Sequence, residues 1–103
     1  MIARIWRGWA AVECADQYQR HYESEVAEHL RSVPGFLDAR LLRRVEGDSV
    51  LFTSIVFFAD LDAVRSFAGA DYEEAVIEEP ARRALSRWDD RVSHHEVTVD
   101  LPR

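Results

Sequence analysis

The stretch from Val50 to Phe58 constrains the fold more than any other part of the chain. Val50, Leu51, Phe52, Ile55, Val56, Phe57 and Phe58 form a nearly continuous apolar run, broken only by Thr53 and Ser54. A run this short reads as a strand, and successive side chains of a strand point to opposite faces, so a sheet built around it is apolar on both. Such a strand is central and needs cover on both sides.

The flanking segments supply that sheet. Met1 to Trp9 alternate with a period near two, Ile2, Arg4 and Trp6 on one face and Ala3, Ile5 and Arg7 on the other. From about Glu13 to Ser32 the period becomes helical, with Ala15, Tyr18, Tyr22, Val26, Leu30 and Val33 at spacings of three and four before Pro34-Gly35 stops it. Phe36 to Val45 alternates again and Glu46-Gly47-Asp48 has hairpin chemistry. Asp60 suits a helix cap ahead of Leu61, Val64, Phe67 and Ala68. Gly69 interrupts that helix, Asp71 to Glu79 and Ala81 to Trp88 read as further helical pieces, and Arg91 to Leu101 reads as a last strand.

The order is therefore βαββαβ, a ferredoxin-like α+β domain over residues 1–103 with a four-stranded antiparallel sheet and helices on one face. No linker, repeat or low-complexity tract divides it. Helices on one side leave the outward residues, expected to include Ile2, Trp6, Leu42 and Val56, without a lid. At roughly 25 cal/mol per Å² a whole sheet face is worth well over ~10 kcal/mol, so a second copy is the expected cover and a homodimer the expected state.

Composition removes several function classes. A net charge of −6 argues against a nucleic-acid surface. All thirteen non-histidine basic residues are arginine, so no side-chain Schiff base or lysine base is available. Cys14 is the single cysteine, which excludes an intrachain disulfide and a multi-cysteine metal site and suits a cytoplasmic setting. The N-terminus opens directly into alternating residues and no long apolar stretch follows, so neither an export signal nor a membrane partner is expected.

Four stretches together resemble a known family: Arg4-Ile5-Trp6-Arg7-Gly8, Val33-Pro34-Gly35-Phe36, Phe67 through Val76, and Asp90 through Val97. Over almost its whole length the chain resembles antibiotic-biosynthesis-monooxygenase-type proteins of the dimeric α+β barrel superfamily. The resemblance implies a dimer and a small-molecule cleft. It leaves the activity among cofactor-free aromatic oxygenases, haem degraders, polyketide cyclases and proteins without an assigned reaction. The haem-degrading and quinone-forming members use an asparagine, and this sequence has none. His94 matches the histidine of the family's closing strand motif.

The residues suited to chemistry cluster on the first helix. At 100° per residue Tyr18, Tyr22, Glu25 and His29 fall within about 60° of one another at the edge of the sheet-facing stripe. They read either as the wall of a cleft for a flat aromatic ligand or as core tyrosines beside a solvated Glu25–His29 pair. His21, Glu25 and His29 are spaced by four, but about 12 Å of helix separates the ends, too far for one metal ion. Adjacent His94 and His95 must face opposite ways, so only one enters a pocket. Tyr72 and Trp88 are expected at the mouth of the cleft and Trp6 and Phe52 at its floor or in the dimer core, with plain packing as the alternative for all four. Arg40, Arg43 and Arg44 read as charges protecting an edge strand.

The expected activity is a cofactor-independent monooxygenase with His94 or His29 as base and no metal or organic cofactor. A non-oxidative cyclase or isomerase, and a non-catalytic binding dimer, are the alternatives.

Overall fold

The structure, a computed structural model, describes residues 1–103. Strand β1 (Ile2–Ala11) runs into a 3-10 turn at Val12–Cys14 and then into helix α1 (15–31). Strands β2 (Phe36–Glu46) and β3 (Ser49–Phe58) form a hairpin, followed by helices α2 (Leu61–Ala68) and α3 (Glu79–Ala84) and by strands β4 (Arg87–Trp88) and β5 (Ser93–Glu96).

The sheet is antiparallel in the order β2-β3-β1-β4, with β5 also paired to β1. The fourth position is thus filled by two short strands, β4 opposite Gly8 and Trp9, β5 opposite Ile2 to Ile5. Four strands were expected and five are present because the chain leaves the ladder between them. Beyond Glu96 the ladder ends: Val97 N–H donates to the Met1 carbonyl, and β1 offers nothing further for residues 98–101 to pair with. The last strand is therefore shorter than its sequence alternation.

All helices cover one face. Towards them β3 turns Val50, Phe52, Ser54, Val56 and Phe58, all buried, and β1 turns Arg4, Trp6 and Ala10. Trp6 and Val56 are core residues on the covered side and Ile2 packs against that core, so none of the three is an outward member of the sheet as the alternation alone suggested. The open face carries Ile5 and Trp9 from β1, Leu51, Ile55 and Phe57 from β3, and Leu42 from β2. Leu51, Ile55 and Phe57 are only half-buried and Leu42 is exposed, so this face lacks a cover within the chain.

Gly8 shows how tightly the covered face is packed. A Cβ there would meet the Trp6 ring at 2.6 Å, because residues two apart share a face and the indole lies across the glycine.

Helix α1 is not uniform. Between Ala15–His21 and Ala27–Arg31 the residues Tyr22–Val26 form a π-helical turn, in which Ala27 N–H reaches back to the Tyr22 carbonyl. That wider turn accommodates one extra residue and sets later side chains back by about 100°. Asp60 caps α2 by accepting from Ala63 N–H at 2.9 Å. The residues from Gly69 to Glu78 are irregular rather than helical. They are tied to the β4–β5 connection by Ala75 N–H to the Asp90 carbonyl and Val92 N–H to the Glu73 carbonyl, both alternatives to a helix's own bonds. Helix α3 stops at Ala84, and Trp88 is drawn into the sheet by pairing with Gly8.

Candidate active site

Between α1 and the covered face of the sheet lies a mostly apolar cleft. Its walls include Trp6 and Arg4 of β1, Tyr18, His21 and Tyr22 of α1, and Ser54 of β3. The irregular segment closes it with Val76, Ile77 and Glu78. The space inside is about 60 Å³.

The aromatic walls are interlocked. Tyr18 packs on Phe52 with ring centroids 4.8 Å apart and on Trp6 at 6.3 Å. Tyr22 shares a buried hydrogen bond with Ser54 Oγ at 2.8 Å, and Trp6 Nε1 donates to the Asp89 carbonyl at 2.8 Å. Burial raises the Tyr18 phenol, with the neighbouring Tyr22 adding to it, and burial also raises Tyr22 against a smaller opposing effect of Ser54. Both hydroxyls therefore remain protonated donors at neutral pH.

Two imidazoles behave differently. Arg4 Nη1 lies 3.0 Å from His94 Nε2, and a guanidinium only donates, so Nε2 is the acceptor and the ring proton of neutral His94 sits on Nδ1. Burial first, and then the charge of Arg4, lower the His94 pKa and keep the ring neutral at pH 7. His94 also meets Tyr72 edge-on at 5.1 Å and lines a shallow outer depression with Tyr72 and Glu73. It touches the main cleft through Arg4. His21, by contrast, lines the cleft itself, and neither of its buried ring nitrogens has a hydrogen-bond partner. Glu25 Oε2 is 3.2 Å from His21 Nδ1, close enough to pair with a charged ring but not aligned for a hydrogen bond.

Of the residues picked from the sequence, Trp6, Tyr18 and Tyr22 form the cleft. Phe52 lies beneath it, fully buried behind Tyr18. Tyr72 and His94 stand beside it, and Trp88 packs against the core from β4. Glu25 is exposed, and His29 leaves the cleft to stack on Phe67 at 4.7 Å. The π turn is the reason: a uniform projection puts His29 over the sheet, whereas the set-back brings Leu30 there and buries it. Arg4, His21, Ser54 and Glu78 are polar residues of the cleft that the sequence reading did not assign. The signal for Arg4 was its phase, shared with Ile2 and Trp6. Arg43 leaves the expected edge cluster too, turning to the helix side to bond Asp16 and Gln19.

No protein-family model matches the chain, and no curated protein sequence matches it. Solved structures do. MhuD, the haem degrader of Mycobacterium tuberculosis, here a mutant with two manganese protoporphyrin IX groups bound per active site, superposes with a TM-score of 0.71 at 17% identity, covering 100% of both chains. SnoaB, a cofactor-independent oxygenase from Streptomyces nogalater, gives 0.67 at 18% identity over 99% of this chain and 98% of that one. The monooxygenase from the gene ActVA-Orf6 of Streptomyces coelicolor, in complex with Nanaomycin D, also gives 0.67 at 18% identity, over 99% and 92%.

The chain has the antibiotic-biosynthesis-monooxygenase-type fold. Within that fold, α1 and the irregular segment 69–78 enclose the cleft. No helix is long and apolar enough to cross a membrane.

Proposed function

We propose that the cleft is the active site of a cofactor-independent oxygenase for an electron-rich aromatic small molecule, and that the protein works as a homodimer. The observation that carries the reading is an aromatic-walled space beside a buried imidazole, His21, whose Nε2 has no partner and whose Nδ1 has only Glu25 Oε2 at 3.2 Å, out of line for a hydrogen bond. A buried polar group left unpaired costs about 1–3 kcal/mol, and pairing with a ligand's acidic proton relieves that cost. His21 is placed to remove a proton from an activated CH₂ or a phenol. Nε2 of His94 is taken by Arg4, which makes His94 a positioning residue.

For an anthrone-type substrate the steps balance without a cofactor. His21 takes one proton from the CH₂ carbon, the carbanion passes an electron to O₂, and the radical pair combines at that carbon. His21 returns the proton to the peroxide, which then loses water to leave a carbonyl. One CH₂ and one O₂ give one C=O and one H₂O. The protonated hydroxyls of Tyr18 and Tyr22 supply donors for developing oxygen charge.

A cavity that holds benzene is about 150 Å³, and this cleft holds about 60 Å³. A ring ligand therefore enters with segment 69–78 displaced.

Two features support the dimer: the uncovered Leu51, Ile55, Phe57 and Leu42 of the open face, and the tail, where Val99 and Leu101 are exposed and continue a strand alternation with nothing to pair. A second copy covers both.

Oxygen uptake by chelator-treated protein, supplied with a series of hydroxylated anthrones and naphthols, tests the activity. One O₂ consumed per quinone formed is expected. Product formed without O₂ uptake means a cyclase or isomerase, and no turnover across the series means a binding protein; either result overturns the oxygenase.

A further inference from the structure

Arg4 is among the most deeply buried charges of the chain, 5% exposed on the helix-covered face of β1. Its Nη1 donates to the Tyr72 carbonyl at 2.6 Å and to His94 Nε2 at 3.0 Å, both uncharged acceptors. Its Nε and Nη2 donate to nothing, and no carboxylate pairs with it. Glu78, the acidic residue of the same cleft wall, forms no ion pair with it.

The contrast with the other arginines is informative. Arg7, Arg40, Arg43, Arg44 and Arg91 each sit beside a carboxylate at the surface, where a partner contributes least. The buried arginine, whose desolvation is hardest to offset, has none. Burial lowers its pKa only to about 10, so it is still charged at neutral pH. The guanidinium lies over the Phe67 ring at 5.5 Å, and both residues line the cleft with Trp6, Tyr18 and Tyr22.

We infer that Arg4 is the anion-holding group of the cleft and that its ligand is a planar aromatic acid, whose carboxylate or phenolate oxygen docks on the free Nε–Nη2 edge. The fork geometry of a guanidinium suits two oxygens of one carboxylate, and the aromatic walls suit a flat ring behind it. The inference rests on this cleft being the binding site, and it does not depend on whether the ligand is then oxidised.

Titration of the protein with 1-naphthoate and with uncharged 1-naphthamide tests it, read by tryptophan fluorescence and by the ¹⁵Nε–H resonance of Arg4. The acid is expected to bind at least about tenfold tighter and to shift the Arg4 resonance, which the amide does not. Arg4→Met abolishes the preference, Arg4→Lys keeps part of it, and Arg87→Gln keeps all of it. Equal binding of acid and amide, a preference that survives Arg4→Met, or an Arg4 resonance unmoved by millimolar 1-naphthoate overturns the inference. The resonance decides the matter in the wild type even if Arg4→Met does not fold. Tight acid binding together with no oxygen uptake from the anthrone and naphthol series would sink the oxygenase and leave this inference standing.

Discussion

Arg4 Nη1 donates to His94 Nε2 at 3.0 Å, and this contact joins the centre of β1 to the last strand across the wall of the cleft. It fixes the imidazole's tautomer and uses up its lone pair. The same nitrogen of Arg4 holds the Tyr72 carbonyl, so the strand, the edge histidine and the irregular segment share one anchor.

A pH dependence of stability follows from this contact. Burial and Arg4 place the folded pKa of His94 below its ordinary value of about 6.5. As pH falls, the unfolded chain takes up the proton first, so His94's contribution is present above about pH 6.5 and is lost on descent through its folded pKa. Urea midpoints at pH 7.5, 6.5 and 5.5 should fall less steeply for His94→Gln, which still accepts from Arg4 but does not titrate. Parallel curves for the two proteins would refute this.

The pair Tyr22–Ser54 gives a second prediction, since its 2.8 Å bond is buried. Ser54→Ala leaves the phenol unpaired and should cost about 1–3 kcal/mol, while Tyr22→Phe combined with Ser54→Ala should cost less than the sum of the single changes. Denaturant unfolding of the four proteins measures the coupling, and strict additivity would contradict it.

Gly8 supports the cleft floor. Gly8→Ala places a methyl against the Trp6 ring at 2.6 Å and should cost about 1–3 kcal/mol by overpacking. Tryptophan emission should shift as the indole moves away from Tyr18. A variant with wild-type stability and emission would show that the ring is not held as described.

The tail offers a test of the dimer. Removal of residues 98–103, which make no ladder contact within the chain, should leave the fold intact yet weaken self-association at least about tenfold, because Val99 and Leu101 lose their burial against a partner. Sedimentation at micromolar concentration reads this directly. An untruncated chain that stays monomeric would overturn the homodimer.

Strand and helix order was legible because the hydrophobic period changes cleanly, from two in β1 to three and four in α1 and back. The site was only half legible. Tyr18 and Tyr22 precede the π turn or begin it, so a uniform projection locates them; His29 lies beyond it, where that projection fails, and the spacing of His21 by four from Glu25 points to a metal ligand rather than to a cleft wall. Arginine in an alternating strand ordinarily reads as solvent-facing, which hid Arg4. The segment Asp71–Glu79 carries a capping aspartate and helix-forming residues, but its long-range backbone bonds go to Asp90 and Val92 instead. Those are tertiary partners that local spacing does not reveal.

Oxygen uptake by the His21→Ala variant tests the central claim most directly. With an anthrone that the wild type oxidises, loss of the base should lower kcat by about 10²–10⁴-fold, while His94→Gln, which keeps the acceptor for Arg4, stays within about tenfold of wild type. A His21→Ala protein that is folded and oxidises the anthrone at the wild-type rate would contradict the account.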